Sequence, residues 1–329
     1  MSYINSFIKS AFCFGIALAS FTSCQNYKEQ RQGNTSTSGM TTLMCDNSFE
    51  NIMQQEIDVY EYVYPDASII PYYISESAAI DSLINMKTRL AVISRELTKE
   101  ETEYLKANKR NPRTQKIAVD AIALIVNPEN SIEILSKSEI SDILSGTVTR
   151  WDQIEPSKMG NINVVFDEAG SSTVKYMRDS LLCGKDFGSN VYAQGSNKAV
   201  FEAVKASKNT IGVIGVSWIS SDMKVVSHTI EEKAKISASS DTTNLDFNRD
   251  VKVLKVRRDD SIEAYKPYQY YIYTGQYPLY RSIYMVCASV AGTTSHGFFS
   301  FVTGFQGQKL IQMTGVLPAT MQPRMVQIN

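Results

Sequence analysis

Asn163-Val164-Val165-Phe166-Asp167-Glu168-Ala169-Gly170-Ser171-Ser172-Thr173-Val174-Lys175-Tyr176 contains a change of periodicity that decides how the chain is read. Asn163 to Phe166 is a short apolar run rich in β-branched residues, as in a buried strand. Beyond the loop, Val174, Met177, Leu181 and Leu182 recur at helical spacing. Between them Gly-Ser-Ser-Thr places hydroxyl residues at the start of the helix. Ser and Thr there accept hydrogen bonds from N–H groups that the first turn leaves without partners. The same N–H groups, with the positive end of the helix dipole, also suit an anion. A capped helix and an anion loop are written with the same residues, so the rest of the chain must separate them.

The same strand, polar loop, helix order recurs upstream. Leu43-Met44-Cys45 leads into Asp46-Asn47-Ser48 and then a helical face of Phe49, Ile52, Met53 and Ile57. Ser68 to Tyr73 leads into Ile74-Ser75-Glu76-Ser77 and a helix with Ile80, Leu83 and Ile84 inward. Leu90-Ala91-Val92-Ile93 ends in Ser94-Arg95, before the charged helix Lys99 to Asn108. Such alternation predicts an open α/β fold, in which ligands bind beyond the carboxyl ends of the strands. Four converging polar loops favour the anion reading over the cap alone.

Downstream, Lys116 to Val126 is a long apolar strand able to pass from one domain into another. Ile132 to Leu144 reads as one or two short helices, and Lys198 to Lys205 as a helix. Ile211 to Val216 is a buried strand with close-approach glycines. The tyrosines at 268, 270, 271, 273, 277, 280 and 284 could line a cleft, and aromatic sheet packing is the simpler reading. Ile283 to Val290 reads as a returning strand. Phe298 to Thr314 reads as one helix, closed by Gly315 with Pro318 beyond.

With 43% hydrophobic and 20% charged residues in 329, the chain has the composition of a folded protein long enough for two domains. A net charge of −1 gives no electrostatic case for nucleic acid. Lys9 followed by an apolar run from Ala11 to Thr22 suits a secretory signal over 1–23 and is too short to span a bilayer. Small residues before Cys24 resemble a bacterial lipobox, which makes Cys24 the lipidated residue, with membrane lipid as its partner. Residues 24–42, rich in Gln, Asn, Ser, Thr and Gly, then read as a tether. The expected location is the cell envelope, anchored to a bacterial membrane and facing the periplasm.

Cys45, Cys183 and Cys287 lie far apart without a CxxC, so neither a zinc site nor a disulfide framework is predicted, although one pair could bridge. His228 and His296 have no ligand-like spacing, which leaves metal chemistry little to build on. A hydrolase using Ser171 or Ser172 would need a base and usually an oriented His, and no Gly-x-Ser-x-Gly elbow is present. No Gly-x-x-x-x-Gly-Lys-Ser/Thr run supports nucleotide hydrolysis. The expectation is a protein that is not an enzyme and uses no cofactor.

Several segments, in order, resemble the phosphate-binding subunit of bacterial ABC transporters, a two-lobed periplasmic binding protein. They are Ile93-Ser94-Arg95-Glu96-Leu97-Thr98, Val119 to Pro128, Ile143-Leu144-Ser145-Gly146 with Trp151-Asp152, Gly170-Ser171-Ser172-Thr173, Ile211-Gly212-Val213, Tyr277-Pro278-Leu279 and Gly315-Val316-Leu317-Pro318. The resemblance implies a two-lobed α/β fold, each lobe an open sheet flanked by helices, with the ligand cleft between them. Lobe 1 would take 43–122 plus about 281–329, and lobe 2 about 123–280. It further implies that inorganic phosphate or a similar oxyanion is the ligand and that ABC transporter membrane subunits are partners. Carried over by position, the ligand-binding residues are Ser48, Phe49 through its N–H, Ser94, Arg95, Gly170, Ser171, Ser172 and Thr173, with Asp167 at the threshold. Glu76 and Ser77 are possible pocket residues.

Two positions depart from the family pattern. Asp167 stands where an Arg is common, and Ser75-Glu76-Ser77 where Gly-Ser is usual. Arg95 stands where some members carry the acid that accepts the phosphate proton. Arg95 and Asp167 have then exchanged roles across one cleft, or Arg95 is a structural partner of Asp167 or Glu76. A third reading keeps the fold and gives the altered site another ligand or a protein partner.

Overall fold

The computed structural model describes residues 33–220, 229–238 and 247–323. The signal segment, Cys24 and His228 lie outside the described residues. The strands are β1 (Gly39–Asp46), β2 (Ala67–Ile74), β3 (Leu90–Ile93), β4 (Arg113–Val126), β5 (Ile134–Ser136), β6 (Asn163–Phe166), β7 (Val191–Ala193), β8 (Thr210–Gly215), β9 (Lys252–Val253), β10 (Lys255–Arg257), β11 (Ala264–Tyr265), β12 (Tyr280–Cys287) and β13 (Leu317–Pro318). The helices are α1 (Glu50–Val63), α2 (Glu76–Ile84), α3 (Lys99–Ala107), α4 (Lys137–Ser145), α5 (Ser172–Leu181), α6 (Asn197–Ala206), α7 (Ile230–Ala238), α8 (Gln269–Tyr273), α9 (Thr294–Thr303) and α10 (Phe305–Met313).

Hydrogen bonding joins the main sheet in the order β2-β1-β3-β12-β4-β8-β6-β7. β4 is the member common to both halves. Up to Ala121 it pairs antiparallel with β12, and from Ile122 it pairs antiparallel with β8. Ala121 to Val126 are all buried, as an apolar strand covered on both faces must be. On one side β1 pairs in parallel with β2 and β3; on the other, β6 pairs in parallel with β7 and β8. The result is the two-lobed α/β arrangement expected, with parallel strands of both lobes ending toward a shared seam. β5, β10 and β11 form a small second sheet.

Four local expectations are corrected. The chain is already packed at Asn34, well before the expected end of the tether at residue 42. Asn34 Oδ1 accepts from the Thr294 N–H at 2.7 Å, and the Tyr60 hydroxyl donates to the Ser36 carbonyl at 2.5 Å. A Cβ on Gly297 would come within 1.9 Å of that carbonyl, so helix α9 needs glycine there for this segment to lie on it. The region 132–144 begins as a strand, since β5 finds a parallel partner in β10 that is distant in sequence. The run 298–314 is broken at Gly304, whose extended backbone ends α9 and caps α10. The tyrosines at 270, 271 and 273 sit on the short helix α8 instead of on a strand.

Among the described residues, Cys45, Cys183 and Cys287 are free thiols. Among the described residues, no group of three or more His, Cys, Asp or Glu is placed to hold a metal ion. No described helix is long and apolar enough to cross a membrane.

Candidate functional site

The loops after β1 and β6, one from each lobe, meet directly at the seam. Ser48 Oγ lies 3.2 Å from Thr173 Oγ1. The side chain of Asn47 donates to Glu168 across the same gap. Ser171 caps α5, its Oγ accepting from the Val174 N–H at 3.2 Å. The cap reading of this hydroxyl is therefore correct. The question becomes what else the cluster holds.

The cluster is built around two carboxylates. Asp46, the last residue of β1, is fully buried; its Oδ1 accepts from the Ser48 N–H at 2.8 Å and its Oδ2 from the Ser172 N–H at 3.3 Å. Burial pushes its carboxyl above the ordinary range, while Arg281 and these hydrogen bonds pull it back. Asp167, the first residue after β6, accepts from Ser171 Oγ at 2.6 Å and from Ser48 Oγ at 3.3 Å. The predicted hydroxyls of Ser48 and Ser171 thus serve a side chain of the protein itself.

Under this layer lies an ion pair that the sequence reading missed. Arg281 on β12 and Asp120 on β4 are direct cross-strand neighbours, and Arg281 Nη2 reaches Asp120 Oδ2 at 3.2 Å. Arg281 Nη1 donates to Ser172 Oγ at 2.6 Å, and its guanidinium sits 4.7 Å above the centroid of the Phe49 ring. The resemblance gives Phe49 a role through its N–H; the observed contribution is the ring face, which attracts a cation. Burial raises the Asp120 carboxyl, countered chiefly by Arg281. A Cβ on Gly215 would fall 2.8 Å from Asp120 Oδ2, so the neighbouring strand needs glycine to leave room for this acid.

Arg95 is outside this cluster. It makes a bidentate pair with Glu101, at 2.7 and 2.8 Å, and Glu101 also completes the capping box of α3 with Thr98. Arg95 is therefore hydrogen-bonded to neither Asp167 nor Glu76, although Glu76 adds to the negative charge around it, and the expected exchange of roles with Asp167 is not made in this geometry. Ser94 donates both its N–H and its hydroxyl to Glu76, each at 2.6 Å. Arg95, Glu76, Ser77, Gly170 and Ser171 do line one open cleft of about 360 Å³, together with Lys175 and Arg178. This outer cleft carries charges of both signs and sits above the buried Asp46–Asp167 layer.

One signal could have exposed the missing residues. Asp120 is the one charged residue in the apolar run Ile117 to Val126, and Arg281 the one in Leu279 to Val290. Opposite charges isolated in two apolar strands imply a buried pair. The returning strand begins at Tyr280, three residues before the apolar run from Ile283 that marks it in the sequence, and so includes Arg281.

A family model described as a PBP superfamily domain matches residues 31–304. The chain belongs to the PBP superfamily. Among curated proteins, this superfamily member is 26% identical over 214 residues to the phosphate-binding protein PstS of Pseudomonas aeruginosa. That match covers 61% of this chain and 64% of the Pseudomonas protein, a little under two thirds of its length. Among solved structures, one of a putative phosphate ABC transporter substrate-binding protein from Clostridium perfringens matches with a TM-score of 0.67 at 21% identity, over 86% of this chain and all of that one. A phosphate transport receptor from Vibrio cholerae matches with a TM-score of 0.60 at 20% identity, over 85% of this chain and 100% of that one. At such identities the structural likeness establishes the two-lobed fold.

Proposed function

We propose that this superfamily member is a solute-binding protein that takes a protonated oxyanion of the phosphate class between its lobes and delivers it to an ABC-type membrane transporter. One observation carries the reading. Loops from both lobes bring the start of helix α5, the hydroxyls of Ser48, Ser171, Ser172 and Thr173, and the guanidinium of Arg281 to one buried point. Donors gathered from two lobes suit a ligand held by closure of a hinge. The relatives named phosphate-binding proteins support the same class of ligand. Lipidation at Cys24 would keep such a protein at the membrane surface. Its task is binding, not catalysis.

The carboxylates narrow the ligand. Asp46 and Asp167 face the same hydroxyls and N–H groups that an anion would use. A like charge about 4 Å from either, at an effective dielectric constant near 20, costs about 4 kcal/mol. A ligand with its own proton offsets that by donating to a carboxylate, whereas sulfate has no proton to give. Calorimetric titration of the purified protein with phosphate and with sulfate tests the reading. Phosphate is expected to bind and sulfate to give no heat; absence of heat and of any thermal shift at millimolar phosphate would sink the proposal.

A second reading is favoured by one observation: the donors of Ser48, Ser94, Arg95, Ser171 and Ser172 each already meet a carboxylate of this chain. On that reading the fold is kept and the ligand is another solute, or a protein, meeting the mixed-charge outer cleft. Arg95→Ala separates the two. It should leave inner-site phosphate binding within about threefold and abolish recognition through the outer cleft.

A further inference from the structure

Asp46 stands where a bound anion would stand. It lies at the end of β1, fully buried, with one carboxylate oxygen on the Ser48 N–H of its own lobe. The other oxygen is on the Ser172 N–H of the opposite lobe, in the first turn of α5. Arg281 supplies the positive charge beside it and donates to Ser172 Oγ, while its buried Nε has no hydrogen-bond partner among the described residues. Two backbone donors from different lobes, a helix start and a guanidinium are the ordinary parts of an oxyanion cradle. Here a side chain tethered to the wall fills it.

We propose that the Asp46 carboxylate is an internal competitor for the oxyanion cradle, and that its presence determines how tightly the site takes an external anion. An incoming anion needs the Ser48 and Ser172 N–H groups, and both are held by Asp46. To enter, it must either turn that side chain away or sit against its charge. The tethered carboxylate has the advantage of high effective concentration, as any intramolecular ligand does. It also links the two lobes without solute, because its two oxygens accept from opposite sides of the seam. This inference rests on the proposed oxyanion function and specifies which residue limits it.

The test is phosphate calorimetry on the full-length chain as wild type, Asp46→Ala and Asp46→Asn. Asp46→Asn retains the volume and removes the charge, so it reports even if Asp46→Ala does not fold; a cooperative thermal transition establishes folding for each. Both folded variants should bind phosphate about tenfold or more tighter than wild type. Folded variants that bind no tighter than a phosphate-binding wild type would overturn the competitor role and leave the functional proposal standing. Wild type without phosphate binding, beside variants that bind, would uphold the competitor role and overturn the functional proposal. Absence of binding in all three would sink both.

Discussion

Arg281 and Asp120 face each other across β12 and β4, with side chains 3% and 1% exposed, so neither charge has water to fall back on. Removing one partner of such a pair leaves the other charged and buried, which costs more than the pair contributes when intact. Arg281→Met should therefore lower the unfolding free energy by about 3–5 kcal/mol, read from the urea midpoint. Adding Asp120→Asn should recover part of the loss, because the Asp120 charge is then no longer left unpaired. A single variant within about 1 kcal/mol of wild type would show that the pair is not the anchor described. Either residue is visible in the sequence as a lone charge in an apolar strand. That they are opposite one another is not visible, because strand register depends on partners 161 positions apart.

At the scale of elements, helix α1 carries a buried carboxyl that the site does not use. Glu56 is fully buried on the helix face packed against the core, and neither of its oxygens has a hydrogen-bond partner among the described residues. Burial alone pushes its pKa well above the usual carboxylate range. A raised folded-state pKa means that the folded chain keeps a proton which the unfolded chain has released. The resulting stability is fully present below the unfolded value of about 4.3 and is lost as pH rises toward the folded value. Glu56→Gln has no such proton to lose. Its stability relative to wild type should rise as pH is raised above about 4.3, measured by urea unfolding at successive pH values; parallel pH profiles for the two proteins would contradict the assignment. Helix α5 was legible from Ser171 and the spacing of Val174, Met177 and Leu181, since caps and amphipathic faces are local patterns. The break at Gly304 was not, because Phe298, Phe301, Val302, Leu310 and Ile311 keep an apolar face through it.

For the whole molecule, the two lobes are joined through β4 and β12 and by hydrogen bonds across the seam. Beyond the site itself, Asn51 Nδ2 donates to the Ser217 carbonyl at 2.9 Å and Trp218 Nε1 to the Ser48 carbonyl at 3.2 Å. Each such bond contributes about 1 kcal/mol net. The double variant Asn51→Ala/Trp218→Phe should lower stability by about 2 kcal/mol and raise amide hydrogen exchange at the start of α5. Unchanged exchange there would mean that these bonds do not hold the seam. Opening by such a route would expose the buried layer to a solute, which couples the ligand to lobe motion.

The sequence by itself determined the fold class, the hinge-crossing strand β4 and the strand-end loops that would converge. Those rest on periodicity, capping residues and the order of segments, which are local and therefore written in the chain. It also brought Ser48, Ser171, Ser172 and Thr173 to notice from their positions at helix starts. Only the tertiary structure decided which partners those donors have. Asp46 and Asp167 take the hydrogen bonds assigned to a solute, Arg95 turns to Glu101, and Arg281 supplies the positive charge of the inner layer. Hydrogen-bond partners are settled by distance in space, over separations of more than a hundred residues, and no local pattern encodes that choice.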